Sequence, residues 1–193
     1  FLKKFRNVQL TTSYKKKKSL FIIKNNFTKK SVKDGIKYIL KESITKEELT
    51  DLPLKWFEGE IIIVDTKKAL KKALAVLSKQ AVIGFDTETK PSFKKGVINK
   101  VALLQLSIED RAYLIRINKI GLSQKICDIL ANPEIIKPGV AIHDDIKGLQ
   151  QFENFTPGGF VELQDSAKEL GIQNFSLKKL TAIACGFRIS KGQ

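Results

Sequence analysis

The chain has 193 residues, 42% hydrophobic and 28% charged, with a net charge of +15, which suits one domain with a sizeable core and an ordinary globular composition. No run approaches the 18 apolar residues that a membrane span needs, which argues against an integral membrane role. Cys127 and Cys185 lie far apart in apolar, helix-like contexts and form no CxxC pair, so free thiols in a reducing compartment, and a cytoplasmic location, are expected.

Residues 1–35 hold eleven Lys or Arg against one acid, Asp34, so they carry ten of the fifteen net charges. Residues 1–36 read as a basic, disordered segment of the kind that binds phosphate backbones without reading sequence. Acid-poor and Ser/Thr-bearing, the segment is also compatible with an organelle targeting peptide, although Lys dominates over Arg. A third reading is upstream sequence foreign to the mature protein. The patch Leu20–Ile23 is too short for a signal-peptide core.

From residue 37 the pattern is that of one globular domain running to residue 193. Thr45 with Glu48 predicts a capping box that opens a short helix ending near Pro53. Trp56 is expected to pack against the core. Gly59 to Asp65 is rich in β-branched residues and reads as a strand. Thr66 to Ser78 follows as a helix with Leu70, Ala73, Leu74 and Leu77 on one face. Ala81 to Phe85 is a short apolar run that predicts a buried strand, and Pro91 to Gly96 is a loop. Val101 to Ser107 and Ala112 to Ile117 predict two strands joined as a hairpin, and Leu122 to Ala131 a helix. Ile135 to Ile142 is a further strand with a helix behind it over Asp145 to Phe152. Phe160 to Leu163 is a last strand, followed by helices near Ser166–Leu170 and Ser176–Cys185. Hairpin-like strands followed by strand–helix alternation describe an α/β fold, a mixed sheet flanked by helices.

Asp86 and Glu88 stand where the Ala81–Phe85 strand leaves the core. Residues two apart on a strand share a face at about 6.5–7 Å, so both carboxylates project together while Thr87 turns away. Two carboxylates on one rigid edge repel unless a cation neutralises them, and all-oxygen donors suit Mg²⁺ or Mn²⁺. A solvated acidic strand end is the plainer reading. Asp145 follows a later strand, and ligands in open α/β sheets gather at strand ends, so the two segments can converge on one pocket.

With Phe85-Asp-Thr-Glu-Thr89 and Gly139-Val-Ala-Ile-His-Asp-Asp-Ile-Lys-Gly-Leu149 on the page, the chain resembles the DEDD 3′–5′ exonucleases, nearest to the ribonuclease D and Werner-helicase exonuclease branch. Asn99 to Ser107 and Ser176-Leu-Lys-Lys-Leu180 match further parts of the family pattern in order. The resemblance implies a ribonuclease-H-like fold whose C-terminal part is missing. It implies metal-dependent hydrolysis of phosphodiester bonds at single-stranded nucleic-acid 3′ ends. Asp86, Glu88 and Asp145 would hold two Mg²⁺ or Mn²⁺ ions. Asp145 is chosen over Asp144 because Leu149 lies four residues beyond it. Thr87, Phe93, Lys94, His143 and Lys147 are candidate substrate contacts, each with a structural or solvated alternative. A catalytically inactive nucleic-acid-binding module of the same fold is the rival reading.

The family's third motif, an Asp preceded by Tyr or His, has no counterpart. The single His, His143, has Gly148 five residues on. Truncation past Gln193 is the simplest account, so the chain as given is expected to be inactive and an extended one active. Asp165 is a weak substitute, because Asp is favoured at helix starts for backbone reasons alone.

Overall fold

The computed structural model describes residues 40–89 and 99–190. The leading basic segment and the loop carrying Phe93 and Lys94 lie outside the described residues. The chain divides into two compact units, one of Phe57–Gln164 and one formed by the residues up to Trp56 with those from Asp165 onward.

The larger unit is built on a mixed sheet. After helix α1 (Lys46–Asp51) of the smaller unit, strand β1 (Glu60–Val64) is followed by helix α2 (Lys67–Leu77), then by β2 (Gly84–Thr89), β3 (Val101–Ser107) and β4 (Arg111–Ile115). The strands run in the order β1-β4-β3-β2, with β1 parallel to β4 and the β4–β3 and β3–β2 pairs antiparallel. Helices α3 (Ile117–Ile120) and α4 (Gln124–Ala131) lead to β5 (Lys137–Gly139), helix α5 (Ile142–Gln150) and β6 (Phe160–Glu162), which pairs in parallel with β5. Backbone bonds from Ile83 N–H to Ile136 O and from Ile136 N–H to Ala81 O, both 2.9 Å, stitch the start of β2 to the approach to β5. The α/β architecture, a mixed sheet flanked by helices, is the expected one.

Leu104 and Leu106, two apart on β3, are buried, as is Val101 beyond a register shift in the β2–β3 pairing, and the apolar face of α2 buries Leu70, Ala73, Leu74 and Leu77. Ile83, Phe85, Ile115, Ile126, Leu130 and Leu149 complete the same core. Gly148 lets α5 approach β3, since a Cβ there would meet Val101 Cγ2 at 2.7 Å.

Three of the boundaries that differ from those expected concern the strands around the acidic residues and their neighbours. Strand β2 starts at Gly84 and continues through Thr89, because Asp86, Thr87 and Glu88 stay paired with Gln105, Leu104 and Leu103 of β3. The carboxylates are thus part of the sheet and not just beyond it. The run Ile135–Ile142 is strand only over Lys137–Gly139. Ala141, in the left-handed region at φ 60°, turns the chain straight into α5. Ile117 opens the short helix α3 and does not end β4.

In the smaller unit, helix α1 (Lys46–Asp51) opens with the expected capping box between Thr45 and Glu48. Ile44, Leu49 and Ala182 form its small core, with Leu52 and Ile183 against them. Helix α6 comprises Leu163–Glu169, and α7 (Leu177–Cys185) starts at the N-cap Ser176. Trp56 does not join a core: it is 72% exposed. Leu54 bridges to Arg188, and Lys55 N–H bonds Arg188 O at 2.9 Å; this edge pairing fixes the backbone but leaves the indole outside. No described helix is long and apolar enough to cross a membrane.

Candidate active site: acidic residues on strand β2 and helix α5

Alternation along β2 sends Ile83, Phe85 and Thr87 into the protein and leaves Asp86 and Glu88 exposed on the other face. Gln105 is the β3 partner of Asp86, so its side chain emerges on the same face. Its Nε2 donates to Glu88 Oε1 at 3.5 Å. The Asp86 carboxylate accepts from the Thr87 backbone N–H at 2.9 Å.

Asp145 reaches this region from α5. Its carboxylate accepts a hydrogen bond from the Thr87 hydroxyl, so the buried Thr87 ties the first turn of α5 to the middle of the acidic strand. Asp144 points away: its side chain is 96% exposed and pairs with Lys147 at 3.6 Å. The helical geometry, about 100° per residue from 3.6 residues per turn, separates the two neighbours in this way. His143 and Lys147 are exposed on the same helix.

Partial burial pushes the Asp86 carboxyl above its ordinary range, and the negative fields of Asp145 and Glu88 push it further, against the Thr87 N–H bond that lowers it. Crowded anions of this kind have an unmet demand for positive charge. The donor chemistry, carboxylate oxygen alone, suits a hard divalent cation. With Asp145 turned to Thr87 and Glu88 to Gln105, the described residues contain no group of three or more His, Cys, Asp or Glu side chains already gathered to hold an ion.

The entry into α5 has its own support. Glu162, at the end of β6, accepts from the backbone N–H groups of Ala141 at 3.1 Å, Ile142 at 2.9 Å and Gln164 at 3.0 Å. Its carboxylate thereby serves the exposed donors of the helix start, where negative charge is also favoured by the helix dipole. Neither Gln105 nor Glu162 stands out in the sequence as part of a site. The match of Asn99 to Ser107 to the family pattern was the available signal for Gln105. Asp165, the weak substitute, pairs with Lys168 at 3.1 Å on α6.

A sequence model of the 3′–5′ exonuclease domain matches residues 61–193. The bifunctional 3′–5′ exonuclease/ATP-dependent helicase WRN of Mus musculus is 33% identical over 136 residues, 67% of this chain and 10% of that protein. The curated relatives matched are far longer, the chain spanning between 8% and 18% of their length. Among solved structures, the Aedes aegypti Nibbler exonuclease domain superposes with a TM-score of 0.60 at 22% identity, over 72% of this chain and 75% of that one. The catalytic core of RRP6 from Trypanosoma brucei gives 0.62 at 20% identity, over 82% and 44%.

Proposed function

The chain belongs to the DEDD-type 3′–5′ exonuclease family, and from that premise we propose that it hydrolyses the terminal phosphodiester of a nucleic-acid strand at a site formed by Asp86, Glu88 and Asp145. The observation that carries the reading is the Thr87–Asp145 hydrogen bond, which brings the first turn of α5 to the strand that bears Asp86 and Glu88. A groove that only bound polyanions would gain nothing from two carboxylates on β2 with a third tied to the same strand through Thr87.

Asp86, Glu88 and Asp145 would be the residues that hold Mg²⁺ or Mn²⁺, Asp86 sharing that role with each of the other two. The chemistry that such ions supply is a lowered water pKa and stabilisation of charge on both in-line oxygens. The protein's own part is positioning. The sheet fixes Asp86 and Glu88 relative to each other, Gln105 steadies Glu88, and the Thr87 hydroxyl holds Asp145. Thr87 therefore acts through Asp145 and not by touching the strand directly. His143 and Lys147, exposed on α5, are the described candidates for contact with the terminal nucleotide; Phe93 and Lys94 are proposed for the same role from sequence alone.

Mn²⁺ titration followed by electron paramagnetic resonance tests the site. The expected result is saturable binding that weakens at least about tenfold in Asp86→Asn and in Asp145→Asn. Equal binding by the parent and both variants would overturn it. In a chain that carries the family's downstream motif, a 5′-labelled oligonucleotide should shorten from its 3′ end, and Asp86→Asn should abolish the ladder.

A further inference from the structure

Helix α2 carries Lys67, Lys68, Lys71 and Lys72, all exposed, and no acidic residue. None of the four joins an ion pair among the described residues. Their placement works against the helix. Lys67 and Lys68 occupy the first turn, where the dipole disfavours cations, and Lys67–Lys71 and Lys68–Lys72 are like-charged pairs four residues apart. The helix stands because Thr66 caps Ala69 N–H at 3.2 Å and because its other face is buried in the core. Local choices that oppose stability are a mark of function.

The sheet topology says where this basic face begins. Strand β1 is parallel to β4, and β4 and β2 are both antiparallel to β3, so β1 and β2 point the same way. The first turn of α2 therefore opens at the same end of the sheet as Asp86 and Glu88. Three strand spacings separate β1 from β2, about 14–15 Å. That in-plane distance is a minimum, because α2 packs on the sheet face that carries Phe85 and Thr87, opposite Asp86 and Glu88. A bound strand therefore crosses the end of the sheet over at least about four phosphates at the 3.4 Å per-strand rise of a duplex.

We propose that the lysine face of α2 binds the phosphate backbone of a nucleic-acid strand whose 3′ end lies at the acidic site; the second half of that statement rests on the function proposed above. A membrane surface fits less well. A helix lying on lipid needs a free apolar face, whereas Leu70, Ala73, Leu74 and Leu77 are buried, and no exposed large hydrophobic residue belongs to α2.

The test compares the parent chain with the variant K67Q/K68Q/K71Q/K72Q, since Gln matches Lys in helix propensity. Binding of a labelled single-stranded oligonucleotide of about 20 nucleotides is read by anisotropy in chelator, from about 50 to about 200 mM salt. The affinity should fall at least tenfold, and the slope of log affinity against log salt should drop by about 2–3, at about 0.7 per phosphate. The lysines and arginines of residues 1–35 are present in both proteins and cancel. The variant should melt no lower than the parent and should keep its Mn²⁺ binding. Equal affinity and equal slopes would overturn the α2 proposal, as would α2-dependent binding to phosphatidylserine vesicles without binding to the oligonucleotide. Loss of Mn²⁺ binding in the parent itself would instead count against the acidic site.

Discussion

The Thr87 hydroxyl on β2 donates to the Asp145 carboxylate on α5, across a separation of 58 residues. This bond joins the two segments that the sequence placed at neighbouring strand ends. It also assigns the buried side of β2 a purpose, because Thr87 faces away from Asp86 and Glu88 and still reaches the third acid.

Thr87→Val keeps the β-branched shape and removes the donor. Asp145 is then left half-buried without its hydroxyl partner, and a hydrogen bond to a charged group contributes about 1.5–3 kcal/mol. Mn²⁺ affinity should fall about 10- to 100-fold, as expected when a ligand loses its orienting partner. Thr87→Ser, which keeps the hydroxyl, should recover most of it. Calorimetric titration of the three proteins checks this, and equal affinity in the Val variant would remove Thr87 from the site.

Asp86 makes a prediction about pH. Its carboxyl is raised in the folded protein by burial, with Asp145 and Glu88 adding to the effect. The native state then holds the proton more tightly than the unfolded chain, so this group's contribution to stability falls as pH rises from the unfolded value of 3.8 through the folded one. Metal-free Asp86→Asn should therefore be more stable than the parent at neutral pH. The gap should close as the pH is lowered toward 3.8. Mn²⁺ should reverse the order by stabilising the parent alone. Urea unfolding at pH 7 and pH 4, with and without Mn²⁺, reads all three.

How much was legible depended on whether local pattern or tertiary pairing set each feature. The middle of β3 followed from alternation, because Leu104 and Leu106 bury one face, whereas Val101 is buried only beyond a register shift opposite Glu88 and Thr89. The capping box at Thr45 needed only its own four residues. Strand β5 was read too long, because the apolar run Ile135–Ile142 looks the same whether or not Ala141 turns the chain. That turn depends on Glu162, 20 to 21 residues away, which no local pattern announces. The preference for Asp145 over Asp144 rested on resemblance, and the geometry separating them comes from a helix starting earlier than expected.

Glu162→Gln halves the carboxylate that receives the N–H groups of Ala141, Ile142 and Gln164. One amide oxygen remains, and the lost charge-assisted bonds should cost about 1–3 kcal/mol. The amides of residues 141 and 142 should exchange with solvent faster, while those of β3 keep their protection. Hydrogen exchange resolved by residue checks the locality; a uniform change would point to global destabilisation instead.

Ala141→Gly acts at the same turn in the opposite direction. A left-handed φ of 60° strains any residue with a Cβ by about 1–2 kcal/mol, and glycine escapes that strain at some cost in unfolded-state entropy. A net gain of about 0.5–1 kcal/mol is expected, read by urea unfolding. A loss would mean that the turn depends on the methyl group.

Lys137 on β5 is fully buried and joins no ion pair among the described residues. Its Nζ donates to Asn132 O at 2.9 Å and Ile135 O at 2.5 Å, and lies 5.3 Å from the centre of the Phe160 ring. Burial pulls its pKa from 10.5 down to about 8. A neutral amine still has two N–H groups, enough for both carbonyls, so the charge and not the hydrogen bonding is what the site penalises. Between about 8 and 10.5 the unfolded chain carries more protons than the native one, and stability must rise with pH across that window. The unfolding free energy of the parent minus that of Lys137→Met should therefore increase from pH 8 to pH 10, at a slope approaching about 1.4 kcal/mol per pH unit. Taking the difference cancels every other group that titrates in both proteins. A flat difference would mean that the carbonyls and the aromatic face hold the ammonium charged throughout, and that the turn at Asn132–Ile135 is built around a permanent cation.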